Sequence, residues 1–155
     1  MGPVDAVFIG DSWVRKPGTR TWPEQLCRAR GWSFINLGKS GAVSADGMDQ
    51  LARLNARPDL VDNHTLWIIH IGGNDILRKI YKSPQGHAQC VHDMCQTHYS
   101  QNGNRKSFSF YSDMSTALAL NVRAIVHQAR SRFGASRFLI SHAPVSHDMP
   151  ICSAI

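Results

Sequence analysis

Three short blocks hold the residues whose types and spacing could do chemistry: Gly10-Asp11-Ser12, Asn36-Leu37-Gly38-Lys39-Ser40-Gly41 and Gly72-Gly73-Asn74-Asp75. In the first, a hydroxyl follows a β-prone run that breaks at glycine. Ser12 there can be an exposed nucleophile whose own N–H points at the same spot. Alone, the tripeptide more often marks a serine or aspartate satisfying loop amides. In the second, a glycine lets a backbone N–H approach a substrate with no Cβ in the way; alone it is an ordinary turn. In the third, the side-chain amide of Asn74 can donate to a developing oxyanion, as such donors do in acyl transfer. Alone, Asn74 or Asp75 would more often be a helix N-cap. Together the blocks supply one nucleophile and up to three converging donors, the parts of an acyl-transfer site.

Such convergence needs strands that end side by side, and the chain between the blocks supplies them. Val4 to Ile9 is a short β-prone run that breaks at Gly10, a buried strand ending in a tight turn. Thr21-Trp22-Pro23-Glu24 resembles a helix start, with Thr21 as the cap and Pro23 in the first turn, and the helix runs to about Arg30 before Gly31 stops it. Trp32 to Leu37 is a second strand, closed by Gly38. Ala45 to Ala56 sets Met48, Leu51, Ala52 and Leu54 at helical spacing, and Pro58 forces an exit. Thr65 to Ile71 is a third strand, almost continuously apolar as a strand covered on both faces should be. Asp113 to Phe133 is a helix with Leu118, Val122, Ile125, Val126 and Ala129 on one stripe and Gly134 at its end, and Arg137 to Ser141 is a fourth strand. Strands alternating with helices imply a parallel sheet covered on both sides, because parallel neighbours are joined by right-handed crossovers. Functional loops of such a sheet gather at the carboxyl ends of its strands, where all three blocks fall.

The 155 residues, 43% of them apolar, suffice for one domain with a real core, and residues 1–155 read as that single domain. The formal charge of +6 would permit nucleic-acid, anionic-membrane or acidic-substrate partners. Lys and Arg are scattered, however, with no long run, so the charge reads as a solvated surface and no nucleic-acid partner is expected. No apolar stretch approaches the ~18 residues of a membrane span. Val4 to Ile9 lacks the basic n-region and the length of a signal peptide, so the expected location is cytoplasmic. The cysteines Cys27, Cys90, Cys95 and Cys152 make neither a dense disulfide framework nor a paired CxxC signature, and read as reduced thiols. From Ser83 to about Ser112 the sequence turns polar and rich in Gly and His without a sustained period, which reads as an inserted loop or lid. His87, Cys90, His92, Cys95 and His98 within it invite a zinc hypothesis, but the Cys-x4-Cys spacing matches no tight structural-zinc pattern. A plain lid, or a local Cys90 to Cys95 disulfide if the parent protein is secreted, is preferred, and no metal or cofactor is expected.

In order and spacing the three blocks resemble those of the SGNH hydrolases, also called GDSL esterases and lipases. Gly10-Asp11-Ser12 looks like the first block, Ser40-Gly41 within Asn36 to Gly47 the second, and Gly72-Gly73-Asn74-Asp75 the third, with Thr21-Trp22-Pro23 fitting the first helix. The resemblance implies a flavodoxin-like three-layer α/β/α fold with strand order 2-1-3-4-5. It implies hydrolysis of a carboxylic ester through an acyl-serine intermediate, with Ser12 as nucleophile. The Gly41 N–H and the Asn74 side chain would join the Ser12 N–H in the oxyanion hole. The substrate class implied is a small-molecule ester or an acylated carbohydrate or lipid; oligomeric state is left open. Trp13 stands where the family's name motif has leucine, a departure that bears on the pocket wall more than on chemistry.

The family's fourth block is an Asp-x-x-His pair after a fifth strand, in which the histidine takes the serine proton and the aspartate orients it. No Asp-x-x-His follows Asn74. On the resemblance, the last strand and helix are therefore missing and the chain is incomplete at its C-terminus, lacking base and orienter, a loss that typically costs several orders of magnitude in rate. Strand four would then present an open hydrophobic edge. His142 and His147 lie on the right sheet edge, but strand four stands two places from strand one, roughly 10 Å at ~4.8 Å per strand. Nothing in the sequence fixes either against Ser12. A non-catalytic binding module that keeps the cleft is the competing function. A nucleotide-binding domain is disfavoured, because Gly10-Asp11-Ser12 puts an acid where phosphate would sit and offers no phosphate-cradling glycine run.

Overall fold

The computed structural model describes residues 2–15, 20–75 and 106–141, with side chains in the last segment from residue 116 onward. Four strands form one sheet: β1 (Ala6–Gly10), β2 (Phe34–Asn36), β3 (Leu66–His70) and β4 (Arg137–Ser141). Their order is β2-β1-β3-β4 and every pair is parallel. Ala6 lies opposite Phe34 and Leu66, and Gly10 lies opposite His70, so β1 and β3 end level with one another. This is the parallel sheet expected from the alternation of elements, in the flavodoxin-like order that the resemblance implies.

Every residue of β1 is buried, and its side chains divide between two cores as the twofold period of a strand requires. Ala6 and Phe8 join Val14, Cys27 and Ile68 on the face covered by α1 (Trp22–Arg30), where the rings of Trp22 and Phe34 stand edge-on to Phe8. Val7 and Ile9 face the other core with Trp67, Ile69 and Leu51, under α2 (Gly47–Ala52) and α3 (Lys106–Phe133). From α3 come Ile125, Ala129 and Phe133, the last lying 5.7 Å from the Trp67 ring. Two covered faces account for the unbroken apolar run of β1.

Some boundaries differ from the sequence expectations. The single helix expected over Ala45 to Ala56 is three pieces: a 3-10 turn at Ser44–Asp46, α2, and a 3-10 turn at Arg53–Ala56. Leu51 and Leu54 are both buried at a spacing of three, which a helix of three residues per turn keeps on one face. α3 begins at Lys106, earlier than Asp113, and so takes up the end of the polar stretch expected to be loop. Thr21 occupies the N-cap position of α1 but its side chain makes no cap bond; the start is set by proline in the first turn. β2 spans only Phe34–Asn36, because Asn36 turns its side chain onto neighbouring backbone.

β4 packs Phe138 against Trp67, while Leu139 and Ile140 are 50% and 48% exposed. Cys27 is a free, buried thiol whose pKa is pushed up chiefly by that burial. The other three cysteines, with the histidines of the polar insertion, lie outside the described residues. Among the described residues no helix is long and apolar enough to cross a membrane.

Candidate functional site

The carboxyl ends of β1 and β3 and the loop after β2 carry the three blocks, so the chemistry sought in the sequence falls on one sheet edge. β1 ends at Gly10, and the chain turns at once. The N–H groups of Val14 and Arg15 donate to the Asp11 carbonyl at 3.1 and 3.0 Å, and the Trp13 N–H donates to Asp11 Oδ1 at 3.0 Å. Asp11, 1% exposed, therefore holds the turn with its own carboxylate, an Asx-type closure that leaves Ser12 half-buried at the tip. Desolvation raises the Asp11 pKa, opposed by the Trp13 N–H and by nearby His70. Among the described residues the Ser12 N–H has no acceptor. Trp13 is 53% exposed beside it.

Gly10 admits no other residue, since a Cβ there would collide with the His70 carbonyl and the Val14 side chain. β2 pairs with β1 only as far as Asn36 opposite Phe8. One step further, Gly10 is held by a side chain. Its N–H donates to Gln50 Oε1 at 2.9 Å, and its carbonyl accepts from Gln50 Nε2 at 2.8 Å and from the Lys39 N–H at 3.0 Å. The buried amide of Gln50 thus continues the ladder where the strand has ended.

The loop after β2 closes by a turn in which the Ala42 N–H donates to the Lys39 carbonyl at 3.1 Å, with Gly41 at φ 76°. Positive φ at the third residue is what a type II turn demands. A Cβ on Gly41 would meet nothing within 4 Å, so glycine is required for its backbone angle rather than for space. At the end of β3, Asn74 Nδ2 donates to the Ala42 carbonyl at 2.9 Å, next to Gly41. The Lys39 to Gly10 bond brings the second block to the first, and the Asn74 to Ala42 bond brings the third to the second. All three blocks are laced together on one edge.

Asp75 accepts from both the N–H and the hydroxyl of Ser44, at 2.8 and 2.6 Å. Sequence reasoning missed Gln50, Ser44 and Asn121, whose amide donates to Ser44 Oγ at 2.8 Å. Asn121 had a visible signal, as a polar residue within the apolar stripe of its helix. His70 is buried at the end of β3, its Nδ1 3.2 Å from Ser141 Oγ and its ring against Trp22. His142 and His147 lie outside the described residues. Among the described residues no group of His, Cys, Asp and Glu side chains is arranged to hold a metal ion. A cavity of about 290 Å³ lined by Asp5, Trp32, Asp62, His64 and Arg137 opens at the amino ends of the strands, on the opposite edge.

Similarity to known proteins follows the same pattern. No curated protein sequence matches the chain. Among solved structures, the protein YXIM_BACsu from Bacillus subtilis aligns at a TM-score of 0.50 and 14% identity, over 92% of this chain and 33% of its own, a likeness of fold. The esterase AlinE4, described as of the SGNH-hydrolase family, is 30% identical over 61% of this chain and 51% of its own, at a TM-score of 0.40. The psychrotrophic esterase EstA from Pseudoalteromonas sp. is 19% identical over 90% of this chain and 61% of its own, at a TM-score of 0.47. This chain thus spans between a third and about three-fifths of those proteins. The model of the GDSL-like lipase/acylhydrolase family matches residues 8–152, from within β1 through all three blocks to beyond β4. With the parallel sheet and the laced strand ends, that match makes the chain a member of the GDSL-like lipase/acylhydrolase family, the SGNH hydrolases.

Proposed function

We propose that this chain carries the nucleophile and oxyanion hole of a carboxylic-ester hydrolase. The Ser12 hydroxyl attacks the ester carbonyl carbon, and its proton passes through solvent to the departing alkoxide oxygen. The carbonyl oxygen becomes an oxyanion that accepts from the N–H groups of Ser12 and Gly41 and from the Asn74 amide, whose Nδ2 carries a second hydrogen besides the one given to Ala42. The tetrahedral intermediate collapses with loss of the alcohol, leaving acyl-serine, and water then releases the acid. The observation that supports this reading best is the lacing of the three strand ends through Lys39 to Gly10 and Asn74 to Ala42. The proposed substrates are small-molecule esters or acylated carbohydrates or lipids; neither nucleic acid nor a metal or cofactor takes part, and the proposed setting is the cytoplasm.

The alternative function is a binding module that keeps the cleft without turnover. Hydrolysis of a short-chain aryl ester separates the two. Turnover by the purified chain that disappears in Ser12→Ala supports the hydrolase. A folded sample with no turnover above the Ser12→Ala background supports the binding module.

A further inference from the structure

Asn121 interrupts the apolar stripe of α3, one turn from Leu118 and one from Ile125. A polar side chain there must find a partner, and it finds Ser44 Oγ at 2.8 Å. Ser44 is fully buried and passes the chain onward, its hydroxyl donating to Asp75 Oδ1 at 2.6 Å and its N–H to Asp75 Oδ2 at 2.8 Å. The direction is fixed throughout, since the amide nitrogen only donates and the carboxylate only accepts.

The ends of this chain matter because of what stands beside them. Asp75 follows Asn74, whose amide donates to the Ala42 carbonyl, and Ala42 follows Gly41. Three hydrogen bonds therefore join residues 42–44 to residues 74–75, and a fourth anchors the junction to α3. One amide bond alone would leave Asn74 free to pivot about Ala42. The two-point grip of the adjoining carboxylate on Ser44 removes that freedom. It also fixes the separation between the Asn74 amide and the Gly41 turn.

We propose that Asp75, Ser44 and Asn121 are positioning residues for the oxyanion hole, holding Asn74 and the Gly41 turn in one geometry through a hydrogen-bonded chain that starts on α3. This inference rests on the proposed roles of Ser12, Gly41 and Asn74. The residues touch no substrate; they act through Asn74.

The test uses phosphonylation of the full chain by an alkyl fluorophosphonate, which needs the nucleophile and the oxyanion hole but no deacylation. Ser12 Oγ bonds to phosphorus, the P–F bond breaks, and fluoride leaves with the serine proton taken up by solvent. The rate of adduct formation is followed by mass spectrometry, with the thermal midpoint of each variant measured alongside. Asn74→Ala is expected to slow labelling about 100-fold, as loss of one oxyanion donor does. Ser44→Ala is expected to slow it about 10-fold, through misplacement of that donor. The double variant should then be no slower than Asn74→Ala alone, because a positioning residue has nothing left to position. Losses that multiply in the double variant, or labelling of Ser44→Ala within about twofold of the unaltered chain, would overturn the proposal. Should Ser44→Ala not fold, Asn121→Ala carries the same comparison, with a loss of about threefold that vanishes in the Asn74→Ala background. If the unaltered chain takes no adduct on Ser12, the nucleophile assignment itself falls, and this inference with it.

Discussion

Replacing Gln50 by methionine keeps the length and approximate volume of the side chain while removing both polar ends. Gln50 is 1% exposed, and its amide spans the backbone of Gly10, with Oε1 2.9 Å from the N–H and Nε2 2.8 Å from the carbonyl. The two losses are unequal. The Gly10 carbonyl keeps the Lys39 N–H at 3.0 Å, and so gives up one hydrogen bond worth about 0.5–1.5 kcal/mol. The Gly10 N–H is left without its acceptor in a buried strand, a deficit of about 1–3 kcal/mol. Together the change should cost about 2–4 kcal/mol, a large part of the ~5–15 kcal/mol that holds a typical domain folded. Urea unfolding followed by tryptophan fluorescence measures it. With a slope of ~2 kcal/mol/M, the midpoint should fall by about 1–2 M at unchanged slope. A fall of less than about 0.3 M at unchanged slope would refute the reasoning, by showing that strand pairing alone holds Gly10.

Two further outcomes test the backbone and charge of the same edge. Gly41→Ala should lose about 1 kcal/mol of stability in urea titration, from the positive φ alone, since the added methyl meets nothing. Asp11→Asn keeps an acceptor for the Trp13 N–H and removes a carboxylate that burial disfavours. Because the folded pKa of Asp11 is raised above 3.8, its carboxylate lowers stability as pH rises from about 3.8 through that raised value. The variant should therefore match the parent near pH 3.8 and unfold at higher temperature than the parent near neutral pH. Equal unfolding temperatures at both pH values would contradict that assignment.

The sequence by itself determined the parallel α/β architecture and the sheet edge on which the three blocks gather. Continuous apolar runs in β1 and β3, amphipathic stripes between them, and glycine at the ends of the first three strands are local patterns, and local patterns survive in one dimension. The three blocks were legible for the same reason, each being contiguous and ending a strand. Local pattern did less well at the 3-10 turns around α2, where Leu51 and Leu54 satisfy either helical period, and at the start of α3, where polar residues conceal a helix. Tertiary structure alone decided which side chains hold the blocks in place. Gln50 reaches Gly10 across 40 residues, Asp75 reaches Ser44 across 31, and Asn121 reaches Ser44 across 77. A hydrogen bond between buried groups that far apart leaves no periodicity in the chain. It becomes visible only when folding removes water from both partners and leaves each the other as its means of satisfaction.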